Sequence, residues 1–416
     1  MTRPDRTLQA NILLVLFCAS FLSVYCTRVV RVYLAQRSAE SIDIAGLERA
    51  IRLVPDNAMF PHLLGLQFSA REQDSTTAIA NLRQAVRLNP YSGRYWLDLA
   101  AAYQQAGNAV AQNDAVQSAL AAEPGSPEIA AEAAQYFLAS ADWDRALPLV
   151  RQALEKNPQA APGLLLECWR ATHDASLLLA RAIPADPEIQ LAFLRLLTGQ
   201  KEKSSAALVW QHLVASGISF PPQLATFYLD DLVREHDVPA FARAWRGLAS
   251  LAPLLQRYLP TDNLIVNGSF EQPILNYGLD WRHESSEHVV AGIDEAIAHS
   301  GLHSLALSYD GNPAYLAGWS QFVPVQADST YEFSAWIKSE NLTTSSGPRL
   351  AISDAYSGAN LLLMDDVLDT HPWHRVAGTF QVPAGTELVV TQITRAPANT
   401  KIKGRLWVDD LRLERK

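Results

Sequence analysis

The chain has 416 residues, of which 49% are hydrophobic and 19% charged, and its formal net charge is −9. At about 150 residues per domain, this length is enough for two or three domains with their own cores. The acidic balance argues against a nucleic-acid-binding protein, because such binding depends on lysine and arginine side chains that meet phosphates. The three cysteines, two of them in an apolar run, exclude a disulfide framework and a zinc site built from cysteines.

The first predicted element is a membrane-spanning helix near the N-terminus. Residues 10–26 carry no charge, and a helix of that length is about 26 Å long, slightly less than a bilayer core. Arg28 and Arg31 can extend their guanidinium groups to the membrane surface, so we predict a tail over 1–9 and an anchor over 10–34. A cleaved signal peptide is the competing interpretation, less favoured because small residues suited to cleavage do not follow the apolar run. Arginines flank both ends, so charge does not settle the orientation.

A repeat of about 34 residues follows the apolar segment. Alanines recur at intervals of 35, 34 and 34 residues, each with a proline five residues later: Ala50, Ala85, Ala119 and Ala153, with Pro55, Pro90, Pro124 and Pro158. Small residues at fixed offsets let paired helices approach closely, and the proline ends the second helix of each pair.

The repeat segments 78–90 and 146–158 resemble the second helix of a tetratricopeptide repeat. The resemblance implies a solenoid of stacked helical hairpins over 41–160 that presents a surface to a protein partner. A helical spacer that only holds the C-terminal region away from the membrane is the alternative. Beyond Pro158 the period weakens, and we predict degenerate repeats and a cap over 161–259.

The composition changes near Pro260. From Asn263 onward, short runs of alternating hydrophobic and polar residues are separated by Gly, Pro, Asn and Asp. Many short strands of this kind predict a two-sheet sandwich or jelly roll. The expected fold class is therefore multidomain, with an N-terminal transmembrane helix, an α-helical tetratricopeptide-type solenoid and a C-terminal all-β sandwich.

The β segment resembles the carbohydrate-binding modules of families 4 and 9. The motifs that carry the resemblance are NLIVNGSFEQP (263–273), WSQFVPVQADSTYEFSAWIKS (319–339), HPWHRVAGTF (371–380) and GRLWVDDLRLE (404–414). The resemblance spans 263–416 and implies a jelly roll with a galactose-binding-like topology. It also implies a polysaccharide ligand, although this fold also serves as a non-sugar adhesion or spacer module.

A sugar-binding site needs a flat aromatic ring against the apolar face of the sugar and planar polar side chains for its hydroxyls. The candidates in the β segment are Trp281, Tyr315, Trp319, Trp336, Tyr356, Gln321 and Arg349, with Asp354 and Arg395 as further polar partners. Packing is the alternative role for an aromatic residue in such a domain, and it is favoured for Tyr331 and Trp373.

The same resemblance implies a structural calcium ion. The related modules bind it through a glutamate of the opening motif, backbone oxygens near a Ser-Gly turn and an aspartate of the closing strand. The corresponding residues are Glu271, the turn at Ser300 and Gly301, and Asp409 (or Asp410). Oxygen ligands from distant strands suit calcium, and the ion would hold the two ends of the domain together. Surface carboxylates without a metal are the alternative.

No motif indicates an enzyme. His283 and His288 are five residues apart, which is not the spacing of a zinc protease. Paired carboxylates such as Asp365 and Asp366 are of the type that a glycosidase uses, but neighbours on a strand point to opposite faces.

We therefore expect a non-enzymatic, single-pass membrane protein with its body outside the cytoplasm. The solenoid would dock a protein partner and the jelly roll would bind polysaccharide, in exopolysaccharide assembly or export. One alternative is a structural adaptor whose jelly roll binds no glycan. A less favoured alternative is a jelly-roll polysaccharide lyase or hydrolase.

Overall fold

The computed structural model describes residues 6–71 and 74–416, with side chains from Asn11 onward. These residues form two compact units, divided between Ile189 and Gln190. The expected fold class is confirmed: helices fill the N-terminal part, one of them long and apolar, and two antiparallel sheets form the C-terminal domain. Most of the tail predicted over 1–9 lies outside the described residues.

The first helix, α1 (Arg6–Ala39), is one continuous element of 34 residues. Among the described helices it is the one long and apolar enough to cross a membrane, and the apolar side chains of its first half are exposed. Its last two turns pack against α2 (Ile44–Leu53), where Ala35 and Ala39 are buried in a cluster with Leu47. The apolar segment therefore runs without a break into the first helical hairpin.

Three helical hairpins follow with a constant period. Their helices are α3 (Met59–Ser69), α4 (Ser75–Leu88), α5 (Gly93–Gln105), α6 (Ala109–Ala122), α7 (Pro127–Ala139) and α8 (Trp143–Lys156). The first helices of the pairs begin 34 residues apart, and so do the second helices. Helix α9 (Ala161–Thr172) begins 34 residues after α7, so the period extends one helix further than the sequence pattern indicated.

Small residues and helix caps build this repeat. The alanines that mark the period are buried: Ala50, Ala85, Ala119 and Ala153. Gly65 lies so close to α4 that an added Cβ would meet Leu82 Cγ at 2.6 Å. Within α3 to α8, five helices begin at a side chain that accepts a hydrogen bond from the backbone N–H three residues later: Asp74, Ser92, Asn108, Ser126 and Asp142.

The remaining helices are α10 (Ala175–Arg181), α11 (Pro187–Gly199), α12 (Lys203–Ala215), α13 (Thr226–Arg234) and α14 (Val238–Leu251). From Gln190 onward they belong to the same compact unit as the sheets. Trp245 of α14 connects the two parts, because its Nε1 donates to the carbonyl oxygen of Tyr258 at 2.9 Å and its ring packs on Tyr277 and Gly278. The helices before the β domain are thus part of its packing.

The β domain consists of two five-stranded antiparallel sheets. The strands are β1 (Arg282–His283), β2 (Val289–Asp294), β3 (Ser304–Pro313), β4 (Leu316–Pro324), β5 (Thr330–Thr343), β6 (Arg349–Asp354), β7 (Asn360–Leu363), β8 (Asp369–Gln381), β9 (Leu388–Thr394) and β10 (Lys401–Arg415). The first sheet has the order β1-β4-β9-β6-β7 and the second the order β2-β3-β10-β5-β8. Alternate residues fill the core, where Val323, Phe333 and Val408 are fully buried.

Candidate functional site

Three of the predicted sugar contacts lie in the core of the β domain. Trp281 is 2% exposed, and its indole N–H is bonded to the backbone. Trp319 is 5% exposed and lies edge-on to Phe270. Gln321 is fully buried, and both ends of its amide bond to the backbone of Val266, at 3.0 and 2.7 Å. These buried side chains cannot meet a sugar in this structure, which corrects the prediction for all three.

Trp336 and Tyr356 are half-buried, and each has one ring face covered by a histidine. His299 stacks on Trp336 with ring centres 3.8 Å apart, and His236 of the helical part stacks on Tyr356 at 3.7 Å. Trp336 lies on the second sheet and Tyr356 follows β6 of the first, so the two rings do not share a site.

The polar candidates at β6 bond within the protein. Arg349 forms an ion pair with Asp366 at 3.4 Å. Asp354 accepts hydrogen bonds from Ser357 and from the hydroxyl of Thr386. Burial acts to raise the pKa of Asp354, but these hydrogen bonds outweigh it and lower the pKa to about 2. Both side chains therefore have a structural role here.

Tyr315 is the predicted aromatic contact whose ring is open to solvent, with 60% of the residue exposed. It lies between β3 and β4 and lines an open groove of about 480 Å³, the Tyr315 groove. The other lining residues are Glu284, Ser285, Ser286, Glu287, His288, Pro313, Ala314, Leu316, Gly318 and Ala398. None of the other six predicted sugar contacts is among these lining residues.

The loop over 284–288 is held against the start of β4. The N–H of Glu284 donates to the carbonyl oxygen of Gly318 at 2.8 Å, and Ser286 Oγ donates to that of Leu316 at 2.5 Å. Gly318 has a φ of +74°, and a Cβ at this position would lie 2.0 Å from the Glu284 carbonyl oxygen. Because glycine alone permits this approach, the loop has a fixed position beside Tyr315.

The groove has an acidic rim. Glu284 and Glu287 are exposed, and neither side chain has an ion-pair partner among the described residues. His288 Nδ1 lies 3.0 Å from Asp310 Oδ2, so that imidazole is paired. A flat ring beside free carboxylates and serine hydroxyls can stack on a sugar and accept hydrogen bonds from its hydroxyls.

Arg395 bonds to the backbone of two residues that line the groove, Ala314 and Tyr315. Its side chain is 2% exposed, and burial lowers the pKa of its guanidinium. Nε and Nη2 donate to the carbonyl oxygen of Ser346 at 3.0 and 2.8 Å, and Nη2 donates to Thr400 Oγ1 at 2.7 Å. The backbone N–H of Arg395 donates to the carbonyl oxygen of Tyr315 at 3.1 Å. Arg395 is therefore a positioning residue and does not contact a sugar directly.

The sequence interpretation missed Glu284 and Glu287, because residues 283–288 were considered only as a metal motif. The structure separates the two histidines of that motif: the ring of His283 packs on Trp319 at 5.0 Å, whereas His288 pairs with a carboxylate. The sequence offered two separate signals, a polar run over 283–288 directly before a strand and an aromatic residue after Pro313 and Ala314, but nothing in it placed them together.

The predicted calcium ligands surround one turn, over 299–303. Glu271 Oε1 accepts hydrogen bonds from two N–H groups of this turn, at 2.7 and 2.9 Å. Asp409, from the closing strand, accepts through Oδ2 from two others, at 2.8 and 3.1 Å. These hydrogen bonds connect the opening and closing segments of the domain through the turn.

Among the described residues, His299, Asp409 and Asp410 bring potential ligand atoms within 4.8 Å of one another. Glu271 is not part of that group, and Ser300 Oγ donates to Asp410 at 2.9 Å. Calcium takes about six to eight oxygen ligands. Here the carboxylate oxygens face N–H donors and one group is an imidazole, so the arrangement as it stands does not fit the ion. Calcium stays a prediction from the resemblance.

Comparison with known proteins identifies the type of the β domain. Residues 262–398 match the family model CBM_4_9, described as a carbohydrate binding domain. The C-terminal domain is therefore a jelly roll of the carbohydrate-binding type, and this supports glycan binding. No curated protein matches the chain.

Three solved structures illustrate the similarity. The structure described as "CBM4 structure and function" is 16% identical to this chain, and the match covers 36% of this chain and 99% of that one with a TM-score of 0.29. The structure of TmCBM61 in complex with β-1,4-galactotriose is 20% identical, and the match covers 37% of this chain and 99% of that one with a TM-score of 0.28. The helical region is similar to the MamA protein, with 17% identity over 43% of this chain and 94% of that chain and a TM-score of 0.31. At these values the similarities say nothing about what this chain binds.

Proposed function

We propose that this chain is a non-enzymatic, membrane-anchored envelope protein that binds polysaccharide through the Tyr315 groove and docks a protein partner through its helical repeats. Its role is in the assembly or export of an exopolysaccharide, with the body outside the cytoplasm. The observation that carries the glycan part is the exposed ring of Tyr315 in a domain of carbohydrate-binding type.

Binding at the Tyr315 groove combines stacking with hydrogen bonding. The apolar face of a pyranose ring packs on the phenol ring of Tyr315. The carboxylates of Glu284 and Glu287 accept hydrogen bonds from sugar hydroxyls, and the hydroxyl of Ser285 both donates and accepts. Repulsion between like charges disfavours a uronic acid at this rim. The ligand is therefore a neutral or amino-bearing polysaccharide.

Support for anchoring comes from the exposed apolar surface of α1. Leu13, Phe17 and Phe21 are between 67% and 70% exposed. A helix of a soluble protein rarely leaves such a continuous apolar surface in water, whereas a bilayer covers it. A polysaccharide ligand in turn accounts for a body on the outer side of the membrane.

The partner site that we propose is a cavity of about 710 Å³ formed by α4, α5 and α6. Its lining combines Trp96 and Tyr103 with the exposed Arg83 and Arg87, against the carboxylate of Asp114. Arg83 Nε donates to the Tyr103 hydroxyl at 2.6 Å, which holds this guanidinium at the cavity. Two cations beside an apolar wall fit an acidic segment of a partner that also carries an apolar side chain.

The glycan proposal is tested on the full chain in lipid nanodiscs, by polysaccharide binding of Tyr315→Ala beside Tyr91→Ala. Tyr91 is the matched control, because it is 81% exposed but lies between α4 and α5. We expect Tyr315→Ala to weaken binding about tenfold, or about 1.4 kcal/mol, and Tyr91→Ala to leave it unchanged. Equal affinities of the two variants would overturn the site. A folded protein that binds no glycan would favour the adaptor.

The partner site is tested with a labelled acidic peptide that carries one tryptophan. We expect Arg87→Glu to weaken its binding about tenfold, as for an arginine at the centre of an interface. Arg170→Glu, an exposed arginine of α9, is the control and should have no effect. If both substitutions reduce binding equally, the attraction is general and the cavity is not the site.

A further inference from the structure

A cavity lined by two arginines lies where the apolar segment of α1 meets the first hairpin. It has a volume of about 490 Å³ and is formed by α1 and the end of α2 with the loop that follows. Its lining residues are Ser23, Val24, Thr27, Arg28, Arg31, Leu53, Val54, Pro55 and Asp56. Neither the Tyr315 groove nor the proposed partner site uses any of these side chains.

The cavity continues the packing face of α1. Residues three or four apart lie on the same face of a helix. Arg28 and Arg31 therefore share a face with Ala35 and Ala39, which are buried against the hairpin. The face that packs on protein thus carries two arginines at the level where this packing ends.

The other faces of α1 are apolar at the same level. Val29, Val30 and Tyr33 are 49%, 55% and 57% exposed. Aliphatic and aromatic side chains around a pair of arginines are typical of a helix at the membrane–water interface, where guanidinium groups reach the headgroups. The cavity opening is therefore expected at the depth of the lipid phosphates.

The cavity carries a net positive charge. Arg28 Nη2 lies 2.5 Å from Asp56 Oδ2, and this hydrogen bond holds the pKa of Asp56 below its usual value, so the carboxylate stays ionised. Arg31 has no carboxylate partner among the described residues. One uncompensated positive charge therefore remains for a ligand.

We propose that this cavity binds the phosphate group of an anionic membrane phospholipid. The proposal rests on the membrane anchoring proposed above. Arg31 and the remaining N–H groups of Arg28 donate to the phosphate oxygens, an arrangement that suits the planar guanidinium group. Val24 and Leu53 contact the first carbons of the acyl chains. The bound lipid then holds the loop after α2 at the bilayer surface.

Electron paramagnetic resonance of spin-labelled lipids tests this site on the full chain in phosphatidylcholine bilayers. The spectrum separates lipid held at the protein surface from bulk lipid, for labelled phosphatidylglycerol and labelled phosphatidylcholine. We expect wild type to prefer phosphatidylglycerol about fivefold, the effect of one arginine at an anionic surface. Arg31→Gln should remove the preference. Arg37→Gln, on the same helix but outside the cavity lining, should keep it.

Each outcome separates the lipid site from the anchor. If the protein restricts both labelled lipids equally, or if the preference survives Arg31→Gln, the lipid site is wrong and the anchor still holds. If the protein restricts neither labelled lipid, α1 is not in the bilayer, and both proposals are wrong. Inorganic phosphate is then added, with sodium chloride at equal ionic strength as its control. Loss of the preference with phosphate, but not with sodium chloride, supports the site, because free phosphate then competes with the lipid for the same guanidinium groups.

Discussion

Arg395 Nη1 donates a hydrogen bond of 2.8 Å to the carbonyl oxygen of Ala314, the residue that precedes the exposed Tyr315. The same guanidinium bonds to Ser346 and Thr400. Three loops therefore meet at one buried cation. The backbone that carries the phenol ring assigned to sugar stacking is therefore held by a buried side chain.

Lysine in place of Arg395 keeps the charge but removes the planar guanidinium group with its several N–H donors. The carbonyl oxygens of Ala314, Ser346 and Thr400 would lose donors, at a cost of about 1–3 kcal/mol for each unpaired group. We expect Arg395→Lys to lower the free energy of unfolding by about 3 kcal/mol. It should also weaken glycan binding and speed hydrogen exchange of the amides over 314–318.

The control for this substitution is Arg375→Lys, which changes an exposed arginine paired with Glu332. A surface pair contributes about 0–1 kcal/mol. Urea unfolding compares the two variants. If Arg395→Lys and Arg375→Lys are equally stable, the guanidinium group of Arg395 is not needed to hold the groove.

The acidic rim predicts the ligand selectivity of the Tyr315 groove. Glu284→Gln with Glu287→Gln removes two negative charges while keeping hydrogen-bonding groups. We expect binding of a uronic-acid polymer to increase about fivefold, since two unit charges about 4 Å apart in water interact by about 1 kcal/mol. Binding of a neutral glucan should stay nearly constant. Glu340→Gln, an exposed glutamate of β5, is the control, and a selectivity that matches it would contradict the prediction.

Asp280 predicts a pH dependence of stability. Burial raises the pKa of this carboxyl to about 6, although N–H groups of Leu275 and Trp281 oppose the shift. In the unfolded chain the pKa is about 3.9. Between these values the folded state binds more protons, so the free energy of unfolding falls as the pH rises from about 4 to 6, by up to about 3 kcal/mol.

The amide variant Asp280→Asn tests this dependence, because an amide does not titrate in this range. Wild type and variant are unfolded in urea at several pH values between 4 and 7.5. We expect the variant to gain stability relative to wild type as the pH rises. A difference that is constant with pH would show that Asp280 titrates alike in the folded and unfolded states.

Substitution of Gly278 measures how tightly Trp245 of the helical part packs on the β domain. Its φ is +65°, and an added Cβ would lie 2.1 Å from the ring of Trp245. Gly358 has a φ of +70° with open space around it, so it measures the backbone effect alone. We expect Gly358→Ala to cost about 1 kcal/mol and Gly278→Ala a further 1–3 kcal/mol. Equal losses in thermal unfolding would mean that the indole ring moves aside freely.

Substitution of Glu271 distinguishes its hydrogen bonding to the turn over 299–303 from the predicted role in metal binding. Glu271→Ala leaves two N–H groups without their acceptor, and we expect it to lower the free energy of unfolding by about 2 kcal/mol in chelator. Glu295→Ala, an exposed neighbour of the turn, is the control. Calcium tests the resemblance directly: a higher melting temperature of wild type with calcium, absent from Glu271→Ala, would confirm the ion and require the turn to open.

The helical repeat could be predicted because its marker residues are constrained by contacts. Ala85 and Ala119 are fully buried, and Gly65 leaves no room for a side chain. Such positions tolerate only small residues, so the period is visible in the chain itself. It weakens after Pro158 because α10, the second helix of the next pair, has only seven residues.

The site could be predicted only in part, because alternation defines two faces of a strand but not which one meets the core. In β4, Ser320 and Phe322 alternate with Trp319 and Gln321, and the polar Gln321 lies on the buried side. It is accepted there because the backbone of Val266 bonds both ends of its amide, a contact with a residue 55 positions away. A distant partner of this kind leaves no local signal.

The unbroken course of α1 sets a rotational phase between the apolar segment and the first hairpin. One residue inserted between Val32 and Ala35 would turn Arg28 and Arg31 by about 100° away from the loop after α2. Seven inserted residues would return both arginines to within about 20° of their present direction, but about 10 Å, or nearly two turns, further along the helix axis. The number of residues in α1 therefore determines which side of the first repeat faces the bilayer. A flexible break in α1 would remove this constraint.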